Sequence, residues 1–103
     1  MDKYQKRNLF REGVFERDGR KCRMCGIKGE LDAHHITDRH EMPNGGFVLS
    51  NGISLCSDCN WKAEQFHMTD GKHYVDGFHP NDLYEKIGSS YEEALKDSEN
   101  LSP

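Results

Sequence analysis

The residues best suited to chemistry in this sequence are four cysteines that occur as two pairs. Each pair has the spacing Cys-x-x-Cys, and residues 26–55 separate the two pairs. One turn of this spacing supplies two sulfur ligands, so two such turns match a tetrahedral Zn²⁺ site. The spacing therefore predicts a structural zinc ion that joins two distant parts of the chain and contributes folding free energy. Its expected ligands are Cys22, Cys25, Cys56 and Cys59.

Three short segments between and after these pairs contain histidine and asparagine in a fixed order. They are Asp32-Ala33-His34-His35-Ile36, Asn51-Gly52-Ile53 and Cys59-Asn60-Trp61-Lys62. Together with the cysteine pairs, these segments resemble the three parts of the HNH endonuclease motif, over about residues 10–68. The resemblance implies an α+β chain with the small ββα-metal fold of HNH (His-Me finger) nucleases, a structural four-cysteine zinc site and flanking helices.

The resemblance also implies a role for each polar residue of these segments. His35 matches the general base that activates water, and Asn51 matches the residue that orients this base through its side chain or backbone. His34 and Asn60 match two ligands of a divalent cation. These matches imply a metal-dependent endonuclease that hydrolyses DNA phosphodiester bonds. Its catalytic ion is expected to be Mg²⁺, with Mn²⁺ or Ni²⁺ as alternatives.

General chemistry supports this division of work between the two histidines. Adjacent side chains on a strand point to opposite sides, so His34 can bind a cation while His35 acts on water. An unperturbed imidazole has a pKa of about 6.5 and accepts a proton at neutral pH, best when an oxygen acceptor holds its second nitrogen. The cation would offset charge on the transition state and stabilise the leaving oxygen.

The implied metal ligands depart from the commoner pattern, because Asn60 stands where many relatives have histidine. His34 and Asn60 are both neutral, whereas Mg²⁺ prefers carboxylate oxygens. Helical spacing places Glu64 and His67 on the same face as Asn60. Glu64 is therefore the leading candidate to complete the site, and His67 is a weaker one. The alternative role of Glu64 is a solvated helix residue or a partner for a lysine.

The hydropathy pattern and the capping residues predict the elements that must position these side chains. The predicted elements are a helix over 3–17, a strand over 31–36, an apolar run at 47–49, a helix from an N-cap at Ser57 to Met68, a helix from Asn81 or Asp82 to Ile87, and a helix from Ser90 to Lys96. We expect residues 98–103 to be frayed. Each Cys-x-x-Cys turn is a zinc knuckle, and Trp61 is expected to pack against such a knuckle or against the first helix.

Length and composition indicate one domain and an intracellular protein. The length of 103 residues predicts a single domain, 1–103. The HNH resemblance implies that it is a nuclease domain with a motif core over about 10–68 and a C-terminal extension over 70–103. Hydrophobic residues make up 34% of the sequence, so the core is small and needs additional stabilisation, such as disulfides or a bound metal ion. There is no apolar run of about 18 residues and no secretory signal. We therefore expect no membrane contact, a cytoplasmic location of the bacterial or phage type, and reduced thiols in place of disulfides or a redox pair.

Charge patterning bears on the expected DNA partner. The net charge of −4 argues mildly against nucleic-acid binding, but lysine and arginine are concentrated in the first quarter of the chain. These cations can form a basic face or only a solvated helix surface. Lys62 is the leading candidate for a phosphate contact, and Arg39 and the N-terminal cations are others.

Two further functions fit the same residues. One is a non-catalytic, zinc-stabilised module that binds nucleic acid or a protein partner on an HNH scaffold. The other is a small accessory domain of a larger phage or restriction-type complex. A homodimer is also possible, since double-strand cleavage needs two active sites. A plasmid-nicking assay with several divalent ions separates the enzyme from the binding module.

Overall fold

Helices surround a two-stranded hairpin in the computed structural model, which describes residues 2–101. In chain order the elements are α1 (Lys3–Arg17), β1 (Asp32–His35), β2 (Gly52–Leu55), α2 (Ser57–Met68), α3 (Pro80–Lys86) and α4 (Tyr91–Glu99). Three short 3₁₀ turns lie between the two strands. The predicted α+β class is confirmed, and β1, β2 and α2 form the ββα unit.

The hairpin fixes the position of the histidine pair. Its strands pair antiparallel, with His35 opposite Gly52 and His34 opposite Ile53. A Cβ added to Gly52 would lie 2.6 Å from Val14 Cγ2 and 2.7 Å from Phe10 Cζ. Only a glycine therefore lets α1 approach the hairpin this closely, and the approach brings Phe10 to His35.

The C-terminal end of α1 is tied to the hairpin through a buried carboxylate. Asp18 accepts a hydrogen bond from the Ser54 backbone N–H at 2.8 Å and pairs with Arg17 and Arg23 at 2.8 and 3.2 Å. Burial alone would raise the pKa of Asp18, but the hydrogen bonds from Arg17 and Ser54 outweigh it and hold the pKa below its usual value. A buried carboxylate needs such partners to stay ionised. This group of contacts fixes α1 on β2.

The C-terminal helices share one hydrophobic core with the hairpin and α2. Leu83 and Tyr84 of α3 and Ala94 of α4 are buried together with Ile53 and Leu55 of β2. Burial of such side chains stabilises the fold by about 25 cal/mol for each Å² of apolar surface. The extension is therefore part of the packed structure around the hairpin.

The positions at which two helices start differ from the sequence predictions. The N-cap of α2 is Cys56, where the backbone is still extended, and Ser57 is already the first helical residue. The helix α3 starts at Pro80, earlier than predicted, and His79 caps it by accepting a hydrogen bond from the Asn81 N–H. Imidazole is not one of the usual capping groups, so the sequence did not signal this start.

Two predictions about burial were wrong. Trp61 does not pack against a neighbouring element, because 62% of its surface is exposed. The helix α4 runs on to Glu99, and Ser98 is fully buried rather than frayed. Asn44 explains the difference, since its side-chain amide donates to the Ser98 and Leu101 carbonyl oxygens and holds the end of the helix. The last two positions of the predicted frayed segment, 102 and 103, lie outside the described residues.

Candidate functional site

The four cysteines come together as one cluster. Their sulfur atoms all lie within 4.8 Å of one another, and the Sγ atoms of Cys25 and Cys56 are 3.7 Å apart. Sulfurs around a tetrahedral ion with Zn–S bonds of about 2.3 Å lie roughly 3.8 Å apart, so this spacing fits a metal ion. All four are free thiols. The cluster can therefore hold one ion between the first knuckle and the start of α2.

The electrostatics of the thiols also favour a bound cation. Burial raises the pKa of Cys22, but backbone hydrogen bonds, among them one from the Cys25 N–H, outweigh it and lower the pKa to about 6. Burial and the neighbouring Cys22 and Cys56 raise the pKa of Cys59. One thiolate thus forms readily, whereas further thiolates at this distance need a positive charge among them.

A second group of possible metal ligands surrounds His34. The Nδ1 atom of this buried side chain lies 3.2 Å from Asn60 Oδ1 and 3.1 Å from Glu64 Oε1. Asn60 is in the first turn of α2 and Glu64 follows one turn later, so both face β1. Two ligands at right angles around an ion with bonds of about 2.1 Å lie roughly 3 Å apart. The three side chains therefore fit a divalent cation, and Glu64 supplies its negative charge.

Glu64 is held in the ionised form that such a cation needs. Its hydrogen bond with His34 lowers the pKa of the carboxyl below its usual value, although burial acts in the opposite direction. His67, the other predicted candidate for a metal ligand, makes different contacts. Its Nε2 atom is 3.1 Å from the His35 carbonyl oxygen, and its ring stacks on His34 with centroids 5.3 Å apart. His67 therefore supports the end of β1 in this arrangement.

Two aromatic rings orient the side chain of His35. Phe10 stacks on it with ring centroids 4.4 Å apart, and Phe47 meets it edge-on at 4.9 Å. Among residues 2–101 no oxygen acceptor holds either ring nitrogen, and the buried Nε2 atom has no hydrogen-bond partner. Packing therefore takes the place of the hydrogen bond that was expected to orient this ring.

The surroundings of His35 keep its ring neutral. Burial lowers the pKa of His35 to about 4, with further contributions from His34 and the positive charge of Arg39. A neutral imidazole has a lone pair available for a proton at physiological pH. His35 therefore has the protonation state that a general base requires.

The side chain of Asn51 is fully buried and uses all of its hydrogen-bonding capacity. Its Oδ1 atom accepts from the Thr37 N–H at 2.9 Å and from the Tyr84 hydroxyl at 2.7 Å. Its amide N–H₂ donates to the Thr37 and Gly46 carbonyl oxygens. An asparagine amide has two donors and two principal acceptor sites, so none is left for His35. Asn51 can act on the base only through the backbone that follows β1.

Sequence reasoning missed three residues that hold the site. Phe10 and Phe47 position the ring of His35, and Tyr84 of α3 completes the bonds of Asn51 and also lies 2.6 Å from Thr37 Oγ1. Phe10 gave a signal in the sequence as an i,i+4 partner of Val14 on the inner face of α1, and Phe47 gave one as part of the apolar run at 47–49, but neither signal indicated a contact with His35. The contacts of Tyr84 join residues far apart in the chain, which no local pattern indicates.

A cavity of about 380 Å³ opens beside the two histidines. His34, His35, Asn60 and Glu64 all line it, and so do three arginines, Arg7, Arg11 and Arg39. The Nζ atom of Lys62, predicted as the leading phosphate contact, instead lies over the ring of Phe78 at 5.6 Å and does not line this cavity. The positive charge beside the histidines therefore comes from arginines on α1 and after β1.

Comparison with known proteins identifies the segment that contains both groups of ligands. The family model described as HNH endonuclease matches residues 22–66. No curated protein and no solved structure gives a significant match. Among residues 2–101, no helix combines the length and the apolar character that a membrane span requires. The match covers the cysteine cluster, both histidines and Glu64, so both groups of possible metal ligands lie in the segment, residues 22–66, that matches the HNH endonuclease family.

Proposed function

We propose that this protein is a metal-dependent endonuclease that hydrolyses DNA phosphodiester bonds with His35 as the general base. The observation that carries the proposal is the position of His35. A neutral imidazole, neither of whose ring nitrogens is hydrogen-bonded to residues 2–101, lines the same cavity as the side chains of His34, Asn60 and Glu64. A base beside a cation site is the minimal equipment for hydrolysis of a phosphodiester.

Each side chain has a defined part in this reaction. His35 takes a proton from the water whose oxygen attacks phosphorus, while the bond from phosphorus to the leaving 3′ oxygen breaks and that oxygen takes a proton from solvent. His34, Asn60 and Glu64 would hold the divalent cation. When bound, this ion stabilises the negative charge that develops at the phosphate. Asn51 keeps the segment after β1 in place and so fixes the position of His35.

We further propose that zinc is the ion of the cysteine cluster and that it serves the fold alone. Four sulfur ligands close the coordination shell of Zn²⁺, so no position is open for water or substrate. Mg²⁺ is proposed for the second site because Glu64 and Asn60 offer hard oxygen ligands, and Mn²⁺ or Ni²⁺ can bind the mixed nitrogen and oxygen set. We also propose that the C-terminal extension and the HNH segment act as one nuclease domain.

The test is a plasmid-cleavage assay with the zinc-loaded protein and Mg²⁺, Mn²⁺ or Ni²⁺. His35→Ala should lower the cleavage rate by about 10²- to 10⁴-fold, the usual contribution of a general base. His73→Ala is the matched control, because this histidine is exposed in the loop after α2, and it should cut at the parental rate. Zinc content and circular dichroism of both variants should equal those of the parent.

Two results would overturn the proposal. Cleavage by His35→Ala at the parental rate would remove the base from its assigned role. Failure of the parental protein to cut with any of the three ions, while it still binds DNA, would favour the non-catalytic binding module.

A further inference from the structure

The arginines of this chain divide into two groups with different surroundings. Arg17, Arg20 and Arg23 each form a salt bridge with an aspartate or a glutamate. The other three arginines of the sequence form no hydrogen bond or ion pair with any residue of 2–101, and they are Arg7, Arg11 and Arg39. All three line the cavity beside His35. Half of the arginines are thus neutralised within the protein, and the unneutralised half converge on one cavity.

The same cavity contains carboxylates that these arginines do not pair with. Asp32, Asp38 and Glu64 line it as well, yet none of them forms a salt bridge with an arginine. Glu64 is engaged with His34, and Asp38 accepts a hydrogen bond from the His40 N–H. Arg7, Arg11 and Arg39 are exposed, and no carboxylate of residues 2–101 forms an ion pair with them, so their guanidinium groups remain available to an anion from outside.

From this arrangement we infer that Arg7, Arg11 and Arg39 form an arginine clamp that binds the backbone phosphates of DNA on either side of the scissile bond. The inference rests on the proposed nuclease function, which it extends to substrate binding. Arg7 and Arg11 are one helical turn apart on α1, with Cβ atoms about 5–6 Å from each other, so they can contact successive phosphates of one strand. Arg39 follows β1 and brings a third cation to the same cavity.

The arginine clamp also explains how an acidic chain can bind a polyanion. The net charge is −4, but these three cations are gathered where the substrate must lie. Arg7 and Arg11 belong to α1, which precedes the family match at residues 22–66. The helix before the first knuckle thus contributes to DNA binding as well as to the packing of His35.

The test measures DNA binding without cleavage. Binding of a short fluorescein-labelled duplex to zinc-loaded His35→Ala protein is followed by anisotropy over a salt series, with no other divalent cation added. Replacement of each clamp arginine by glutamine should lower the slope of log K against log salt by about 0.9, the value for one phosphate contact. This corresponds to binding about eightfold weaker at 0.1 M salt. Arg20→Gln changes the net charge equally at a site outside the cavity and should leave the slope unchanged.

The outcomes separate this inference from the proposed function. The clamp would be overturned if the clamp variants bind with the parental slope. It would also be overturned if the slope of the Arg20→Gln variant falls by the same amount as theirs. Cleavage of plasmid by the otherwise unaltered protein is measured in parallel. If the clamp arginines set the slope but no ion supports cutting, the clamp stands and the nuclease function fails. If the protein cuts plasmid while the clamp variants bind as the parent does, the clamp alone fails.

Discussion

The HNH segment at residues 22–66 and the helices on either side of it make different contributions to the same site. The segment contains every residue proposed to bind metal or move a proton. The helices outside it contain side chains that hold these residues in place, namely Phe10 and Asp18 before the segment and Tyr84 after it. Chemistry is therefore concentrated in a short stretch of chain, while its geometry depends on contacts with distant residues.

This difference shows why the short motif is not sufficient on its own. A hairpin of two four-residue strands offers too little apolar surface for independent stability. The metal cluster secures one end of it, α1 covers the side of His35, and α3 reaches the side of Asn51. Removal of each support should therefore have a separate and measurable effect.

The largest effect is expected inside the HNH segment, from loss of the cysteine cluster. Cys59→Ser removes one sulfur ligand, and zinc binding contributes roughly 10–16 kcal/mol in small zinc-stabilised domains. This is comparable with the net stability of about 5–15 kcal/mol that most domains have, so the variant should be unfolded. Metal analysis and circular dichroism should show loss of zinc together with loss of helical signal.

Glu64→Gln is the matched control for the other metal site. It alters a half-buried ligand of the proposed catalytic cation and leaves the four sulfurs unchanged. The variant should keep its zinc and its helical signal but cut plasmid more slowly. A Cys59→Ser protein that melts at the parental temperature would contradict a structural role for the cluster.

The sequence was most informative where a function depends on residues close together in the chain. The cysteine spacing and the helical repeat of Asn60 and Glu64 are local patterns, and both led to clusters that the structure contains. The orientation of His35 could not be predicted, because it depends on Phe47 and on the close approach that Gly52 allows to α1. The absence of a free acceptor site on the Asn51 side chain could not be predicted either, because it depends on the hydroxyl of the distant Tyr84.

An intermediate effect is expected from the support that α1 gives to the base. Phe10→Leu keeps the residue apolar but removes the flat ring that stacks on His35 at 4.4 Å. We expect a loss of stability of about 1 kcal/mol. The cleavage rate should fall roughly ten- to hundredfold, because a base displaced by about 1 Å loses its reactive geometry. Chemical denaturation and the plasmid assay measure the two quantities separately.

Phe15→Leu provides the comparison for this variant. Phe15 is also buried on α1, and its ring lies 5.4 Å from the guanidinium carbon of Arg11 but does not contact His35. Phe15→Leu should lose a similar amount of stability and retain the parental kcat at saturating DNA, where a change in DNA binding through Arg11 does not affect the rate. Equal losses of activity in the two variants would mean that α1 supports the fold in general and not the base in particular.

The smallest effect is expected from the C-terminal support. Tyr84→Phe removes only the hydroxyl that donates to Asn51 Oδ1 and lies beside Thr37 Oγ1. One buried hydrogen bond contributes about 1 kcal/mol, and Asn51 keeps its other three bonds. We expect a roughly threefold lower kcat, equal to about 0.6 kcal/mol, because the segment after His35 becomes less firmly placed. KM should be unchanged, because the DNA contacts stay.

Tyr91→Phe, at an exposed tyrosine of α4, is the control and should change neither constant. A higher KM at constant kcat for Tyr84→Phe would instead assign α3 to substrate binding. The helices before and after the HNH segment would then have the same role, because α1 already contributes the arginine clamp to DNA binding.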